Sequence, residues 1–358
     1  MATKIAPPHR ILVKEVNWLG DAVMSLAALR AIRDAWPDAH LAVLIRRELA
    51  GLFEAAPWID EVIPYSLSQG RRVFYDTAKI VSRIRHGCFD LAILFPNSFS
   101  SALWVALAGV PIRAGYIRYR RGLLLTHGVA VPADSAQDHQ SRYWLAMTKS
   151  TLGIDSEAQE ITLDVRQSHR ERMRQWLRSH GYDGNRPLIA LAPSAAYGPA
   201  KEWPVNHYSE LTNLLAASFG AECVLVGAPH ERGKCEEVAQ STRRRPLIAA
   251  GETEVGELIA LLSLCDGFVG NDSGCAHVSA ALGVPTVTIF GSTDPRRSAP
   301  VGSRSTVIYG RLDCSPCFER VCPYGHTACL VSIGPAEVID ALRKLDTFTF
   351  YERESSTT

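Results

Sequence analysis

Short, almost purely apolar runs alternate with amphipathic stretches along this chain, and the alternation stops and restarts once. In the first half the apolar runs are RILVKEV (10–16), HLAVLI (40–45), DEVIPY (60–65), FDLAILFP (89–96) and PIRAGY (111–116). Between them, AVMSLAALRAIRDAWP, LAGLFEAAPWI, RVFYDTAKIVSRIRHG and SSALWVALAGV carry apolar residues at helical spacing. Strands that are apolar on both faces, separated by helices, predict a parallel sheet covered on both sides. A charged stretch, DVRQSHRERMRQWLRSHGYDGNRP (164–187), interrupts the pattern. It then resumes with LIALAPSA (188–195), AECVLVGAP (221–229), PLIAAG (246–251), DGFVG (266–270) and PTVTIFG (285–291). The fold class expected is α/β: two Rossmann-like domains facing a cleft, with ligands near the C-terminal strand ends. The divisions expected are a domain over 1–165, a linker helix and turn over 166–186, a second domain over 187–333, and a last helix with a loose tail over 334–358.

A chain of 358 residues suits two such domains. Its formal net charge of +1 argues against a general nucleic-acid binder. No run of 18 apolar residues occurs, so no membrane span is expected. The N-terminus enters a strand directly, without a signal-peptide pattern, which predicts a cytoplasmic protein. No GxGxxG follows the first strand and no GxxxxGK[ST] occurs, which weakens dehydrogenase and P-loop readings.

The stretch GNDSGCAHVSAALG (270–283) opens a helix with almost no side-chain bulk. Asp272 or Ser273 reads as an ordinary N-cap. Equally, bare N–H groups at Gly274 and its neighbours make an anion site, with His277 one turn on. Gly291, Ser292 and Thr293 would close that pocket from the next strand end. In APSAAYGPAKEWP (192–204), Ser194 leaves a strand end and Lys201 offers a compact charge for a diphosphate; the alternative is a solvated lysine. Gly227 and Glu231 lie after another strand, where a carboxylate can accept from ribose hydroxyls.

In the first half, NWLGDAVMS puts Gly20 and Asp21 at the first strand-to-helix turn. They read either as turn glycine and first-turn acid, or as a general base facing the cleft. Asn17 and Ser25 would orient an acceptor beside it. Arg71, Arg118, Arg120 and Arg121, interleaved with tyrosines, read as a solvated face or as a patch for an anionic acceptor or lipid headgroups. Of nine cysteines, Cys314, Cys317, Cys322 and Cys329 cluster with His326 between them. That spacing permits Zn²⁺ but matches no standard knuckle, and a redox-sensitive loop is the alternative.

Taken together, NWLGDAVMSLAALRAIRDAWPDAHLAVL, PNSFSSALWVALAGVPIRAGY, KEWP, GNDSGCAHVSAALGVPTVTIFGSTDP and CSPCFERVCPYGHTACL resemble the bacterial ADP-heptose:lipopolysaccharide heptosyltransferases, from about residue 10 to 345. NWLGD and the cysteine-rich loop resemble the members that add the second inner-core heptose. The resemblance implies a GT-B fold whose last helix returns to the first domain. It implies inverting transfer from ADP-L-glycero-β-D-manno-heptose to heptosyl-Kdo2-lipid A by a monomer peripheral to the inner leaflet. It places the catalytic base on Asp21. Donor contacts fall on Ser194, Lys201, Glu231, Asp272, Ser273, Gly274 and His277. The family often has a second hydroxyl where this chain has Ala195. No metal is required by this mechanism, although Mg²⁺ assistance is compatible with it. Heptosyltransferase I, another GT-B transferase, or a non-catalytic nucleotide-sugar or metal-binding regulator are the other readings.

Overall fold

A computed structural model describes residues 5–133, 138–156 and 161–345. The chain divides into two compact units, Met1–Ile161 and Thr162–Thr358.

The first unit runs β1 (Arg10–Lys14), α1 (Leu19–Ala35), β2 (His40–Arg46), α2 (Ala50–Glu54), β3 (Glu61–Tyr65), α3 (Arg72–His86), β4 (Leu91–Leu94), α4 (Phe99–Leu107), β5 (Ile112–Ile117), β6 (His127–Ala130) and α5 (Gln140–Leu152). Its six strands lie in the order β3-β2-β1-β4-β5-β6, all parallel. β1 pairs with both β2 and β4, so the order reverses at β1/β4. Such a reversal opens a crevice at the C-terminal strand ends.

The second unit opens with α6 (Gln167–Ser179). It continues β7 (Leu188–Ala192), α7 (Val205–Phe219), β8 (Glu222–Leu225), α8 (Arg232–Gln240), β9 (Leu247–Ile248), α9 (Val255–Leu262), β10 (Gly267–Asn271), α10 (Gly274–Ala281), β11 (Thr286–Phe290), α11 (Pro295–Ser298), β12 (Ser305–Tyr309), α12 (Ala328–Val331) and α13 (Pro335–Lys344). The sheet order is β12-β11-β10-β7-β8-β9, again all parallel, and it reverses at β7/β10. Counted from each unit's own first strand, the two orders are identical. β7, β10 and β11 are buried along their whole length, as their apolar runs predict.

α13 buries Val338, Ile339 and Leu342 in the second unit's core, where its apolar stripe packs against α7 and β11. The tail beyond it, 346–358, lies outside the described residues. The stretch at 167–179, expected as a linker helix, is α6 and packs on α9, with Arg172 paired to Glu257 at 2.5 Å.

Candidate active site

The second sheet's reversal brings together loops far apart in sequence. β7 ends at Ala192 and leads into the 193–203 loop; β10 ends at Asn271 and leads into α10. Lys201 and Asp272 form a close ion pair here, and the Thr293 hydroxyl donates to Asp272 Oδ2 at 2.7 Å. Both charged side chains are nearly buried. The Lys201 ammonium also stands 4.8 Å from the Tyr197 ring centroid. Asp272 is therefore the anchor that aims Lys201 and Thr293.

Ser273 occupies the N-cap position of α10, but its side chain makes no capping bond. Its Oγ is buried without a hydrogen-bond partner, and so is that of Ser292. A buried hydroxyl left unpaired costs about 1–3 kcal/mol, so these two offer hydrogen-bonding capacity that no protein group takes up. Gly274 opens the helix and His277 lies buried within it. Ser194 is buried at the end of β7. The anion-site constellation at 194, 201, 272–277 and 292–293 is thus gathered on one strand edge, within a single unit.

One residue escaped the sequence reading. Asn271 is fully buried and clamps this edge. Its Oδ1 accepts from the Trp203 backbone N–H (2.9 Å) and the Tyr208 hydroxyl (3.2 Å). Its Nδ2 donates to the carbonyls of Pro193 (3.0 Å) and Ala192 (3.4 Å). An asparagine ending an apolar strand was the available signal.

Glu231 Oε2 accepts the Ala228 N–H at 2.7 Å, closing a short turn over Gly227. A Cβ on Gly227 would meet that oxygen at 3.0 Å, so glycine allows the close approach. This carboxylate oxygen accepts from the backbone.

The cysteine loop braces the 193–203 loop and the loop after β11. Tyr197 donates its hydroxyl to the Phe318 carbonyl (2.6 Å), and the Ala200 N–H reaches Arg320 O (3.0 Å). The Phe318 N–H reaches Ser292 O (2.7 Å), and the Ser315 hydroxyl bonds Gly291 O. The four cysteines, His326, Ser292 and Ala200 border a cavity of about 20 Å³. All four thiols are free. Backbone N–H groups, that of Thr327 foremost, hold the Cys322 thiol below its ordinary pKa; burial pushes Cys329 up. Among the described residues no three His, Cys, Asp or Glu side chains stand in metal-binding array. The Zn²⁺ array suggested by the spacing is not seen among the described residues, and Asp272 is engaged by Lys201 and Thr293.

At the first sheet's reversal, α1 starts at Leu19, so Gly20 and Asp21 lie inside its first turn rather than ahead of it. Asp21 is partly buried. Asn17 is exposed, and its Oδ1 accepts the Tyr65 hydroxyl at 3.0 Å. Ser25, expected to orient an acceptor, is fully buried and directs its hydroxyl to Glu15 Oε2 (3.0 Å) and Ala22 O (2.8 Å). Its place one turn below Asp21 on α1 faces the sheet. Sequence reasoning also missed the buried neighbours Lys14 and Glu15. Burial dominates both: it lowers Lys14 to about 7 and raises Glu15 to about 7. Their signal was a charged pair inside an apolar run.

The basic patch divides. Arg71, Arg118 and Arg120 are exposed. Arg121, expected among them, is fully buried. Tyr119 and Arg120 take left-handed conformations (φ 48° and 62°), which turn the next side chain inward. Its guanidinium bonds Tyr116 O (2.8 Å), Pro96 O and Asn97 Oδ1 (3.3 Å), and burial lowers its pKa to about 10. Arg121 is a structural tie, not an acceptor contact.

Comparison with known proteins adds to this geometry. Residues 77–328 match the family model described as glycosyltransferase family 9 (heptosyltransferase). Lipopolysaccharide heptosyltransferase 2 of Escherichia coli K12 is 30% identical over 94% of this chain and 98% of its own length. The corresponding protein of Salmonella typhimurium LT2 is 29% identical over 94% and 98%. The solved structure of E. coli ADP-heptose lps heptosyltransferase II superposes with a TM-score of 0.81 at 26% identity, covering 94% of this chain and 98% of that one. The two-Rossmann fold class agrees with that match.

Proposed function

Because this chain belongs to glycosyltransferase family 9, the heptosyltransferases, we propose that it acts as heptosyltransferase II. It moves L-glycero-D-manno-heptose from ADP-L-glycero-β-D-manno-heptose to the first heptose of heptosyl-Kdo2-lipid A. The carrying observation is the second unit's switch point, where Lys201, Thr293 and two unpartnered buried hydroxyls converge beside a helix start. A sugar diphosphate supplies the charge and acceptors that such a place lacks.

The second unit holds the donor and the first the acceptor in this reading. Asp21 takes the proton of the acceptor's 3-hydroxyl. That oxygen attacks the anomeric carbon as the bond to ADP breaks, inverting the configuration. Negative charge grows on the departing diphosphate, where Lys201 and the α10 N–H groups stabilise it; losing one such donor costs about 3 kcal/mol of barrier. The enzyme works as a monomer on the cytoplasmic face of the inner membrane, bound peripherally. No helix among the described residues is long and apolar enough to cross a membrane.

The test is the acceptor's mass after incubation with ADP-heptose. Gain of one heptose on monoheptosylated Kdo2-lipid A, and none on the unheptosylated acceptor, is the expected result. Transfer to the unheptosylated acceptor would make it heptosyltransferase I instead. Asp21→Asn is expected to abolish turnover while ADP binding survives; normal turnover would remove Asp21 from the mechanism.

A further inference from the structure

In a parallel sheet, every loop that follows a strand emerges on the same edge. Among the described residues, the first unit has eight large apolar side chains exposed: Trp18, Phe74, Tyr75, Phe99, Leu107, Ile117, Tyr119 and Leu123. Six of them follow β1, β3, β4 or β5 closely and share the C-terminal edge; Leu123 comes next, on the short helix that returns from that edge along β5, and Leu107 lies at the far end of α4.

The most exposed form two projections. Phe74 (76%) and Tyr75 (64%) stand on the first turn of α3, beside Arg71 and Arg72. Tyr119 (71%) and Leu123 (97%) flank the tight turn after β5, beside Arg118 and Arg120. The buried Arg121 ties that turn to the sheet, so the projection of its neighbours is built in. Neither 66–75 nor 117–126 contains an acidic residue. The first acid beyond, Asp76, accepts the Ser68 N–H at 2.8 Å.

We infer that this edge docks on an anionic phospholipid surface, with Phe74, Tyr75, Tyr119 and Leu123 entering the headgroup boundary and the four arginines meeting phosphates. Apolar tips framed by arginine suit that boundary, since the rings enter it while the guanidinium groups stay at phosphate depth. Charge argues against a second copy of the chain, because two such faces would set arginines against arginines. The inference rests on the proposed peripheral binding and names the surface that does it.

The test is sedimentation of the full chain with vesicles of phosphatidylglycerol and phosphatidylcholine, against phosphatidylcholine alone. Binding is expected only with the anionic lipid, and weaker as salt rises. F74S/Y75S/Y119S/L123S should lower partitioning by about tenfold or more. L107S, on the opposite edge, should leave it unchanged. Both should keep native circular dichroism and transfer heptose to a deacylated, water-soluble acceptor at the parent rate. Equal binding by the fourfold variant and the parent overturns the inference, as does equal binding to both vesicle types. A dimer abolished by the fourfold variant, with lipid binding intact, assigns the face to self-association instead. Absence of turnover in the parent sinks the transferase reading while leaving the vesicle result to stand on its own.

Discussion

Asn271→Ala cuts the clamp that joins β10, the end of β7 and the start of α7. The Tyr208 hydroxyl keeps a partner, because it also reaches Ala192 O at 3.0 Å. The Trp203 backbone N–H loses its acceptor at 2.9 Å, and Pro193 O loses its donor at 3.0 Å. Both lie where Asn271 itself has no exposure. Each orphaned group costs about 1–3 kcal/mol, so the second unit should lose roughly 3 kcal/mol. Trp203 is two residues past Lys201, so the lysine's turn loosens too and ADP affinity should fall about tenfold, or about 1.4 kcal/mol. Two measurements check this: urea unfolding monitored by amide exchange in the second unit, and calorimetric titration with ADP. Asn271→Asp is the sharper variant. It keeps the acceptor for Trp203 but turns an oxygen towards the Pro193 carbonyl, so it should be no more stable than the alanine variant. A loss under about 1 kcal/mol with unchanged ADP affinity would refute the clamp.

Arg121→Met should cost about 2–4 kcal/mol by orphaning the Tyr116 and Pro96 carbonyls, whereas Arg120→Met should stay within about 0.5 kcal/mol; thermal unfolding compares them. Glu15 is raised from 4.5 to about 7, so its neutral form favours the fold: that contribution is full below pH 4.5 and is lost as pH rises through about 7. Lys14 is lowered from 10.5 to about 7, so its contribution is full above pH 10.5 and is lost as pH falls through about 7. Glu15→Gln should therefore flatten the acid-side decline in urea midpoint while leaving the alkaline rise. Gly198→Ala places a Cβ 2.5 Å from Arg320 O at φ 148°; it should separate the cysteine loop from the Lys201 loop, cost about 1–3 kcal/mol and weaken ADP binding by calorimetry.

The inner strands were legible because burial on both faces leaves an unbroken apolar run, as in LIALA and TVTIF. The edge strands β6 (HGVA) and β12 (STVIY) were not, because one side of each is partly open and the pattern thins. At the site, residue types pointed to positions that the fold gathers on one strand edge of the second unit. Their bonds were hidden, because Lys201 and Asp272 lie 71 positions apart. Arg120 and Arg121 are neighbours of one type, and only the left-handed turn before them separates a surface charge from a buried tie. Ser25 was legible as a helix residue, but not that its face of α1 turns inward to Glu15.

Lys201 does not wait as a bare cation. Asp272 cancels its charge at contact range, so an approaching polyanion meets a dipole rather than a monopole. The pull of a dipole dies away faster with distance, and little of it reaches beyond the screening length of about 8 Å at physiological salt. Capture is then decided by fit at the surface rather than by steering from the bulk. Any cell is crowded with nucleotides and other phosphates. Under the proposed function, a neutralised lysine ignores most of that traffic and rewards only the diphosphate whose oxygens reach Thr293 and the two waiting serines together.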